Sequence, residues 1–381
     1  MFDAKLPYNA LPQLPPRAEI ESRAVLKTWG LARAALTELR VAGQTIPDQS
    51  VLINTIPLLE AKDSSAIENI VTTNDALFRE AALPSHDGDP GAKEGLRYRA
   101  ALYQALEAIK SRPLASRTAI EICSTITGVD LDVRAIPVTL SNKHTGEVIY
   151  TPPQGQAILR ELLSNWEAFM HASDDGLDPL IRMAVLHYQF EAIHPFPDGN
   201  GRTGRILNVA YLIQAGLLEL PTLYLSRHIL KTRGEYYAAL ENVTKHGAWQ
   251  DWIIYMLSAV EITSAWTTKK IAAIRHLLID TDSFVRTALP KIHSRDLVDL
   301  IFAQPYCRIS NVVERGIAKR QAASTYLQEL VRVGVLREER AGREKIFLNQ
   351  KYLDLLWNDG HAFLPYPDAA PAPAPNRRNR A

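Results

Sequence analysis

Apolar residues recur at helical spacing on both sides of one short polar loop. Before the loop they stand at i, i+3, i+4, i+7 and i+11, at Ile181, Ala184, Val185, Tyr188 and Ala192. After the loop the same spacing returns at Ile206, Val209, Ala210, Ile213 and Leu217. Asp178-Pro179 is a helix-starting pair, and Gly216 is a candidate for the end of the second helix. The pattern predicts two core helices that flank the loop 194–204.

Most of the remaining chain also has a helical pattern. Good helix formers predict helices over Glu19–Arg40 and Leu52–Ile70, a larger helical unit from Lys93, and helices from Arg233 through Ala265 to Leu278. The prolines among the first 20 residues predict an extended arm there, because each removes a backbone donor and disfavours a helix before it. We therefore predict a mainly α protein.

One segment departs from this helical pattern. Residues 131–155 are rich in Val, Ile and Thr, carry a turn signal at Lys143-His144-Thr145-Gly146 and end at Pro152-Pro153. This composition predicts a β-hairpin.

The pattern changes again near Asp280. A helix is followed by a short helix over Ile309–Arg315, a helix over Lys319–Val333 and a hairpin over Leu336–Phe347, which is the order of a winged helix-turn-helix. We divide the chain into an N-terminal helical subdomain (1–90), a central domain (91–280), the winged helix-turn-helix (281–360) and a Pro/Ala-rich tail (361–381) that we expect to be disordered. The first boundary falls in the turn-rich stretch 83–91.

Composition narrows the function classes. The chain has 381 residues, enough for two or three domains, with 46% hydrophobic and 22% charged residues, as in globular proteins. The formal net charge of +1 argues against a protein that coats nucleic acid along its whole surface. The two cysteines, Cys123 and Cys307, form no CxxC pair, which favours a reducing compartment. No apolar stretch reaches the ~20 residues of a membrane span, so we expect a cytoplasmic protein without a membrane partner.

The loop HPFPDGNGRTGR, from His194 to Arg205, contains the parts of a phosphate-binding site. The run Gly199 to Gly201 permits a turn whose N–H groups point inwards, and the helix after it adds the positive end of its dipole. Arg202 and Arg205 are three residues apart, so both guanidinium groups can face one ligand. The sequence therefore predicts a bound anion.

Two further side chains of the loop fit chemistry on that anion. Asp198 suits a Mg²⁺ held by one carboxylate and substrate phosphates. His194, with a pKa near neutrality, can take a proton from an incoming hydroxyl. A plain Gly-rich turn is the alternative, but it does not require His, Asp and two Arg in register. Glu191 and His194 also form the Glu-x-x-His pair of di-iron bundles, although no other such pair occurs in the chain.

At these residues the sequence resembles the Fic (Fido) family, whose signature is HPFx(D/E)GNGRxxR. The loop matches every defined position, and PLIRMAVLHYQFEAI before it, YTPP after the hairpin and LYLSR at 223–227 are also similar to the family. The resemblance covers about residues 50–265. It implies a Fic/Fido helical bundle with a β-hairpin flap, and transfer of AMP from ATP to Ser, Thr or Tyr hydroxyls of target proteins and of the chain itself.

The resemblance also implies roles for individual residues. His194 would be the general base, Asp198 would hold Mg²⁺, and Arg202 and Arg205 would bind the β- and γ-phosphates. The full nucleotide-binding set would be Asp198, Gly199, Asn200, Gly201, Arg202, Thr203, Gly204, Arg205, Tyr236 and Tyr237. The flap that docks the target would be Thr145, Gly146, Glu147, Val148, Ile149 and Tyr150. Relatives often carry an Asn seven residues after the second Tyr, whereas this chain has Thr244.

A second motif of the family falls in the N-terminal subdomain. Ser64, Glu68 and Asn69 fit the inhibitory pattern (S/T)xxxE(G/N), in which Glu68 would reach Arg205 and replace its contact with the γ-phosphate. Ser65-x-x-Glu68 is also a capping box, in which Glu68 merely bonds to its own helix start. Both interpretations stay open, and the first predicts a slow resting enzyme.

Two kinds of partner fit the C-terminal module, namely DNA and another protein chain. Residues 308–345 hold nine basic and five acidic residues, a surplus of four, and the second helix would present Lys319, Arg320, Gln321 and Ser324 to DNA. Glu338, Glu339 and Glu344 in the wing weaken phosphate binding. Winged helices also serve in dimers and protein docking, so a homodimer and DNA are both candidates. The alternative functions are a DNA-binding regulator with a nucleotide-sensing domain, or an enzyme that transfers or removes another phosphate-containing group.

Overall fold

The computed structural model describes residues 2–84, 88–142, 145–341 and 344–366. These residues are mainly helical, which confirms the predicted fold class. The helices are α1 (Arg23–Gly43), α2 (Ser50–Ile53), α3 (Ile56–Ile67), α4 (Asn74–Ala82), α5 (Pro90–Ala108), α6 (Ser116–Thr127), α7 (Gln156–Met170), α8 (Pro179–Ile193), α9 (Asn200–Gln214), α10 (Leu225–Lys231), α11 (Arg233–His246), α12 (Trp249–Ala288), α13 (Arg295–Ala303), α14 (Ile309–Glu314), α15 (Arg320–Arg332) and α16 (Gln350–Trp357). The strands are β1 (Leu140–Ser141), β2 (Val148–Tyr150), β3 (Tyr306–Cys307), β4 (Arg337–Ala341) and β5 (Glu344–Leu348).

The chain divides into two compact units. The first lies within Met1–Val41, Ile56–Leu77 and Asp87–Thr267, and the second within Ala42–Thr55, Phe78–His86 and Thr268–Ala381. Each unit thus combines stretches that are far apart in sequence. The predicted domain boundaries stay predictions.

The core of the first unit is built around α8 and α9. Helix α8 is buried on nearly all sides, including its polar side chains Arg182, His187 and Gln189, and it packs against α7 and α9. It begins where the sequence predicts, because the Asp178 side chain accepts the N–H of Leu180 at 2.8 Å and Pro179 occupies the first helical position. These contacts fix the start of α8, and the polar loop begins at its other end, after Ile193.

Two predicted boundaries are wrong. The helix expected over Leu52–Ile70 is two helices, α2 and α3, separated by Asn54 and Thr55. The change expected near Asp280 does not interrupt α12, which continues to Ala288, because residues 249–288 contain neither Gly nor Pro. Pro290 then disfavours helical conformation in the residue before it.

Two small antiparallel sheets accompany the helices. β1 pairs with β2, which is the predicted hairpin, although Lys143 and His144 of the expected turn lie outside the described residues. In the second unit the strand order is β3-β5-β4, and with α13, α14 and α15 these strands follow the order predicted for a winged helix-turn-helix. Of the predicted tail (361–381), residues 361–366 are described, and the ring of Tyr366 stacks on that of Phe284 with 4.6 Å between the centroids. The rest of the tail is outside the described residues. None of the described helices has the length and apolar character that a membrane crossing requires.

Candidate active site

The polar loop begins with a residue in an unusual backbone conformation. His194 ends α8 with φ 49° and ψ 59°, in the left-handed region, and its N–H still bonds the carbonyl of Phe190 at 3.0 Å. A positive φ is uncommon for a residue other than glycine and is found most often at helix ends and functional sites. Pro195 follows and prevents the helix from continuing. The imidazole is therefore held at the end of a rigid core helix.

The glycines and Asn200 shape the start of α9. Gly199 precedes the helix with φ 81°, a conformation that favours glycine. Asn200 is buried, and its side chain bonds both the N–H and the carbonyl of Phe196, at 2.9 and 2.8 Å. A Cβ at Gly201 would clash with Oε1 of Glu68. Asn200 therefore holds the loop in shape, while the first N–H groups of α9 remain without helical partners and can meet an anion.

The two arginines of the loop are both buried and both paired. Arg202 forms ion pairs with Glu94 and with Asp198, the latter at 3.2 Å. Arg205 donates from Nε to Oγ of Ser64 at 2.8 Å, and from Nη2 to the carbonyl of Ser64 and to Oε1 of Glu68, both at 2.9 Å. Thr203 and Gly204 lie in α9, because the loop predicted over 194–204 ends at Gly199. Both face inwards, since Thr203 is fully buried and a Cβ at Gly204 would lie 2.7 Å from Oε1 of Glu191.

Glu68 and its neighbours lie at the end of a helix. The N–H of Ile70 bonds the carbonyl of Ser65, the N–H of Asn69 bonds that of Ala66, and Asn69 has φ 66°. This is a Schellman motif, with Asn69 in the left-handed position. The capping-box interpretation of Ser65 and Glu68 is therefore wrong, since these residues end α3 and do not start a helix. The side chain of Glu68 bonds Arg205, with one third of its surface exposed.

Burial and neighbouring charges together set the protonation states of the histidine and the glutamates in the site. Burial lowers the pKa of His194 to about 4, and the nearby Arg134 guanidinium acts in the same direction, so the imidazole is neutral at pH 7. Burial opposes ionisation of Glu68, but the charge of Arg205 outweighs it and lowers the pKa of that carboxyl. Burial raises the pKa of Glu191 to about 7, against the opposing effect of Arg205. The site thus holds a neutral histidine beside an ionised carboxylate–arginine pair.

Asp198 is the only predicted metal ligand, and its surroundings offer a metal ion a single carboxylate. Its side chain is 80% exposed and bonds only the nearby Arg202 in the described residues. Those residues contain no group of three or more His, Cys, Asp or Glu that could hold a metal ion, which leaves the di-iron alternative without a ligand set. A single exposed carboxylate fits a Mg²⁺ that takes its other ligands from phosphates and water.

The tyrosine pair divides between core and surface. Tyr236 is buried, and its hydroxyl lies 2.9 Å from Nε2 of His187. Tyr237 is 43% exposed, and the guanidinium of Arg233 lies 5.8 Å from its ring. Thr244, which stands where relatives often have Asn, instead bonds the hydroxyl of Tyr188 at 2.9 Å. Of the pair, only Tyr237 is exposed to a ligand.

The β1–β2 hairpin is tied to α8 close to His194. The hydroxyl of Tyr150, at the end of β2, donates to the carbonyl of Ala192 at 2.8 Å. Thr145, Gly146 and Glu147 form the exposed turn side of the hairpin. In the described residues the only strand that pairs with β1 is β2, which leaves the outer edge of β1 without a strand partner.

Sequence reasoning missed several residues that hold this site together. Glu94 pairs with Arg202, and Glu60 on α3 accepts the N–H of Ser226 at 2.9 Å. Arg134 bonds the carbonyl of His194 at 2.8 Å. None belongs to a local motif, because their partners lie far away in sequence. A buried charged residue in an otherwise apolar stretch would have been the only available signal.

Comparison with known proteins agrees with this architecture. The fold and loop define a mainly helical protein with a candidate anion site between two core helices. Three family models match the chain: "Fic/DOC family N-terminal" over residues 26–107, "Fic/DOC family" over 117–212, and "Protein adenylyltransferase SoFic-like, C-terminal domain" over 277–352. The chain belongs to the Fic/DOC family, as its resemblance predicted.

Individual relatives match over shorter lengths. Protein adenylyltransferase fic-1 of Caenorhabditis briggsae is 34% identical over 109 residues, which are 28% of this chain and 20% of the relative. Protein adenylyltransferase Fic of Culex quinquefasciatus is 32% identical over 124 residues, or 32% and 23%. The chain thus aligns with less than a quarter of either relative. The crystal structure of a Fic family protein from Desulfovibrio desulfuricans G20 shares the fold, with a TM-score of 0.57, 16% identity, and coverage of 88% of this chain and 98% of that one.

Proposed function

We propose that this protein transfers AMP from ATP to hydroxyl groups of target proteins, and that Glu68 holds its basal rate down. The observation that carries the proposal is the neutral His194 beside a helix start that bears two buried arginines. The named activity of the matched relatives supports it.

In the proposed reaction the target hydroxyl attacks the α-phosphorus of ATP. The new P–O bond forms as the bond to the β-phosphate breaks, pyrophosphate leaves, and the hydroxyl proton passes to the imidazole of His194. The N–H groups at the start of α9, with Arg202 and Arg205, stabilise charge on the phosphates. Mg²⁺ held by Asp198 would supply further charge neutralisation.

The proposed flap would position the target by main-chain pairing. A target segment added to the open edge of the hairpin would bring its hydroxyl close to His194, since Tyr150 links the hairpin to α8 two residues before that histidine. Such pairing is made through main-chain hydrogen bonds and therefore tolerates different side chains, which fits Ser, Thr or Tyr as acceptors.

The proposed inhibition follows from the Glu68–Arg205 pair. With Glu68 bound, Nε and Nη2 of Arg205 are already engaged. The γ-phosphate would therefore not take the place of Glu68 on Nη2, and ATP would bind with its α-phosphorus displaced from the attacking hydroxyl. A displacement of about 1 Å can lower a rate ~100-fold. Ser64 strengthens the inhibited arrangement through two bonds to the same guanidinium.

Incubation with α-labelled ATP and Mg²⁺, followed by intact-mass measurement, tests the activity. We expect a gain of one AMP on the chain itself, and a loss of at least ~100-fold in His194→Ala with ATP binding nearly unchanged. CTP, GTP and UTP serve as matched controls for the transferred group. Absence of any AMP adduct on both the wild type and Glu68→Gly, or equal loss of ATP binding and transfer in His194→Ala, would overturn the proposal.

DNA binding by the C-terminal module is a second candidate. Lys319, Arg320 and Gln321 are exposed at the start of α15, and Glu338 of the wing is neutralised by an ion pair with Lys345 at 2.8 Å. The wing therefore repels phosphate less than its composition indicated. A salt-sensitive gel shift with the full chain, lost in Lys319→Ala/Arg320→Ala, would support this candidate.

A further inference from the structure

Arg134 connects two segments that both matter for the proposed reaction. It lies before β1, and its side chain is almost fully buried. Its main-chain N–H donates to the carbonyl of Pro195 at 2.9 Å, and its Nε donates to the carbonyl of His194 at 2.8 Å. The other two nitrogens reach the flanks of the flap: Nη2 donates to the carbonyl of Pro153 at 2.6 Å and Nη1 to that of Ile136 at 3.1 Å.

We propose that Arg134 is a positioning residue that fixes the His194 loop against the base of the flap and thereby sets the orientation of the imidazole relative to a docked target. This inference rests on the proposed function. All four hydrogen bonds end on main-chain carbonyls, two in the loop and two beside the hairpin. One residue, through its side chain and its main-chain N–H, therefore holds in fixed register the two segments that must meet.

The backbone of His194 explains why such a clamp is needed. A residue with a Cβ at φ 49° is held there only when its surroundings fix it. The carbonyls at the end of α8 have no helical partners, and a cation at that end is favoured by the helix dipole. Arg134 provides both a hydrogen bond and the positive charge at this point.

The identity of the side chain follows from its geometry. A guanidinium offers several N–H groups in a fixed plane, whereas a lysine ammonium is a single compact charge on a flexible stem. Three side-chain bonds in different directions therefore require arginine. Lysine would retain the charge but lose most of the clamp.

The same position also affects the protonation of His194. Besides burial, the groups that act on its imidazole are the Arg134 guanidinium, which lowers the pKa, and the Glu191 carbonyl and the Glu68 carboxylate, which raise it. A neutral substitute for Arg134 removes one of the two factors that keep the imidazole unprotonated. Charge and clamp can therefore be separated by comparing Arg134→Lys with Arg134→Gln.

The test uses the full chain and two independent measurements. An NMR titration of ¹³C-labelled histidine, with His194 assigned from His194→Asn, reports the pKa without requiring activity. Steady-state AMP transfer, with the His194→Ala chain as the protein target, reports KM for that target and for ATP separately. Arg160→Gln is the matched control, because Arg160 pairs with Asp132 near Arg134 on the surface, at 2.6 Å.

We expect Arg134→Gln to raise the His194 midpoint by about 1 pH unit and Arg134→Lys to leave it in place. Both variants should raise KM for the target about tenfold or more with KM for ATP unchanged, and Arg160→Gln should change neither. The inference would be overturned if the His194 midpoint stayed in place in Arg134→Gln. It would also be overturned if Arg134→Lys lowered AMP transfer equally at every pH and changed KM for the target and KM for ATP to the same extent. Absence of AMP transfer in both the wild type and Glu68→Gly would overturn the proposed function alone, since the NMR titration still tests the Arg134–His194 relationship.

Discussion

Oε1 of Glu68 lies 2.9 Å from Nη2 of Arg205, across 137 residues of sequence. Arg205 has a side-chain exposure of 1%, so this carboxylate is not a loose surface partner. Breaking a buried pair by removing one charge usually costs several kcal/mol, unless another anion takes its place. A nucleotide phosphate is such an anion. The contact is therefore suited to exchange between an internal carboxylate and a ligand.

The first prediction concerns this exchange. Glu68→Gly frees the Arg205 guanidinium for the γ-phosphate, and we expect AMP incorporation into the chain to rise ~10- to 100-fold. Glu68→Gln, which keeps the shape and removes the charge, should give a smaller rise. Labelled AMP per chain over time measures both.

Two controls accompany that measurement. Arg205→Ala in the Glu68→Gly background should cancel the gain, because the freed partner is missing. Glu107→Gln removes an exposed carboxylate that pairs with Lys110 and should have no effect. Flat or reduced incorporation by Glu68→Gly, with circular dichroism unchanged, would refute the inhibitory role.

The second prediction concerns Asn69, which follows α3, the helix that we propose to be inhibitory. Its φ of 66° suits glycine and asparagine but strains a β-branched residue. Asn69→Gly should keep Glu68 in place and leave the basal rate low. Asn69→Val should cost about 1 to 2 kcal/mol locally, displace Glu68 and raise AMP incorporation. Equal basal rates in the two variants would show that this turn does not position Glu68.

Local spacing was sufficient to predict the two helices that flank the loop. Their apolar positions repeat every three or four residues. Asp178-Pro179 marks the start of α8, and its cap is a hydrogen bond between residues only two positions apart. The Glu68–Arg205 contact could not be obtained in this way, since its partners are far apart and each fits other local roles. Ser65-x-x-Glu68 has the spacing of a capping box, yet α3 ends there.

Arg134 shows a different limit of sequence reasoning. Its partners are backbone carbonyls, which every residue carries, so no pairing of residue types reveals them. The N-terminal arm was predicted to be extended, but its contacts were not foreseen for the same reason. The N–H of Tyr8 bonds the carbonyl of Thr151 at 3.0 Å.

The third prediction follows from that arm. Thr151 also donates from its hydroxyl to the carbonyl of Ala4 at 2.6 Å, and the rings of Phe2 and Tyr150 stack at 5.9 Å. The arm thus supports the end of β2. Deletion of residues 2–9 should raise KM for a protein target about tenfold without changing KM for ATP. Lys5→Ala, at an exposed position of the arm, is the control, and unchanged target KM in the deletion would exclude this support role.

The fourth prediction concerns truncation. Within the second compact unit, the hydroxyl of Tyr352 lies 3.4 Å from Oγ1 of Thr55, and Arg315 pairs with Asp48 at 3.0 Å. A chain that ends at residue 280 loses these partners and exposes Leu52, which is fully buried. We expect it to aggregate or to melt at least several degrees lower, whereas a chain that ends at 366 melts like the full length. Equal melting of all three would show that residues 42–55 need no C-terminal partner.

The fifth prediction is a pH dependence of stability at Glu60. Burial raises the pKa of this carboxyl to about 7, although Ser226 donates to it and opposes the shift. The ordinary value is 4.5, so between pH 4.5 and 7 the folded chain binds a proton that the unfolded chain has released. The contribution of Glu60 to stability therefore falls as pH rises through that window.

Glu60→Gln removes this titration and keeps the side-chain shape. Relative to the wild type, the variant should gain up to roughly 3 kcal/mol in unfolding free energy as pH rises from 5 to 8, read from urea midpoints at each pH. Other buried titrating groups, such as Glu191, are common to both chains and cancel in the difference. Glu107→Gln, at an exposed site, should differ from the wild type by a constant amount over the same range. A constant difference for Glu60→Gln as well would mean that Glu60 is ionised in the folded protein, with the Ser226 bonds outweighing burial.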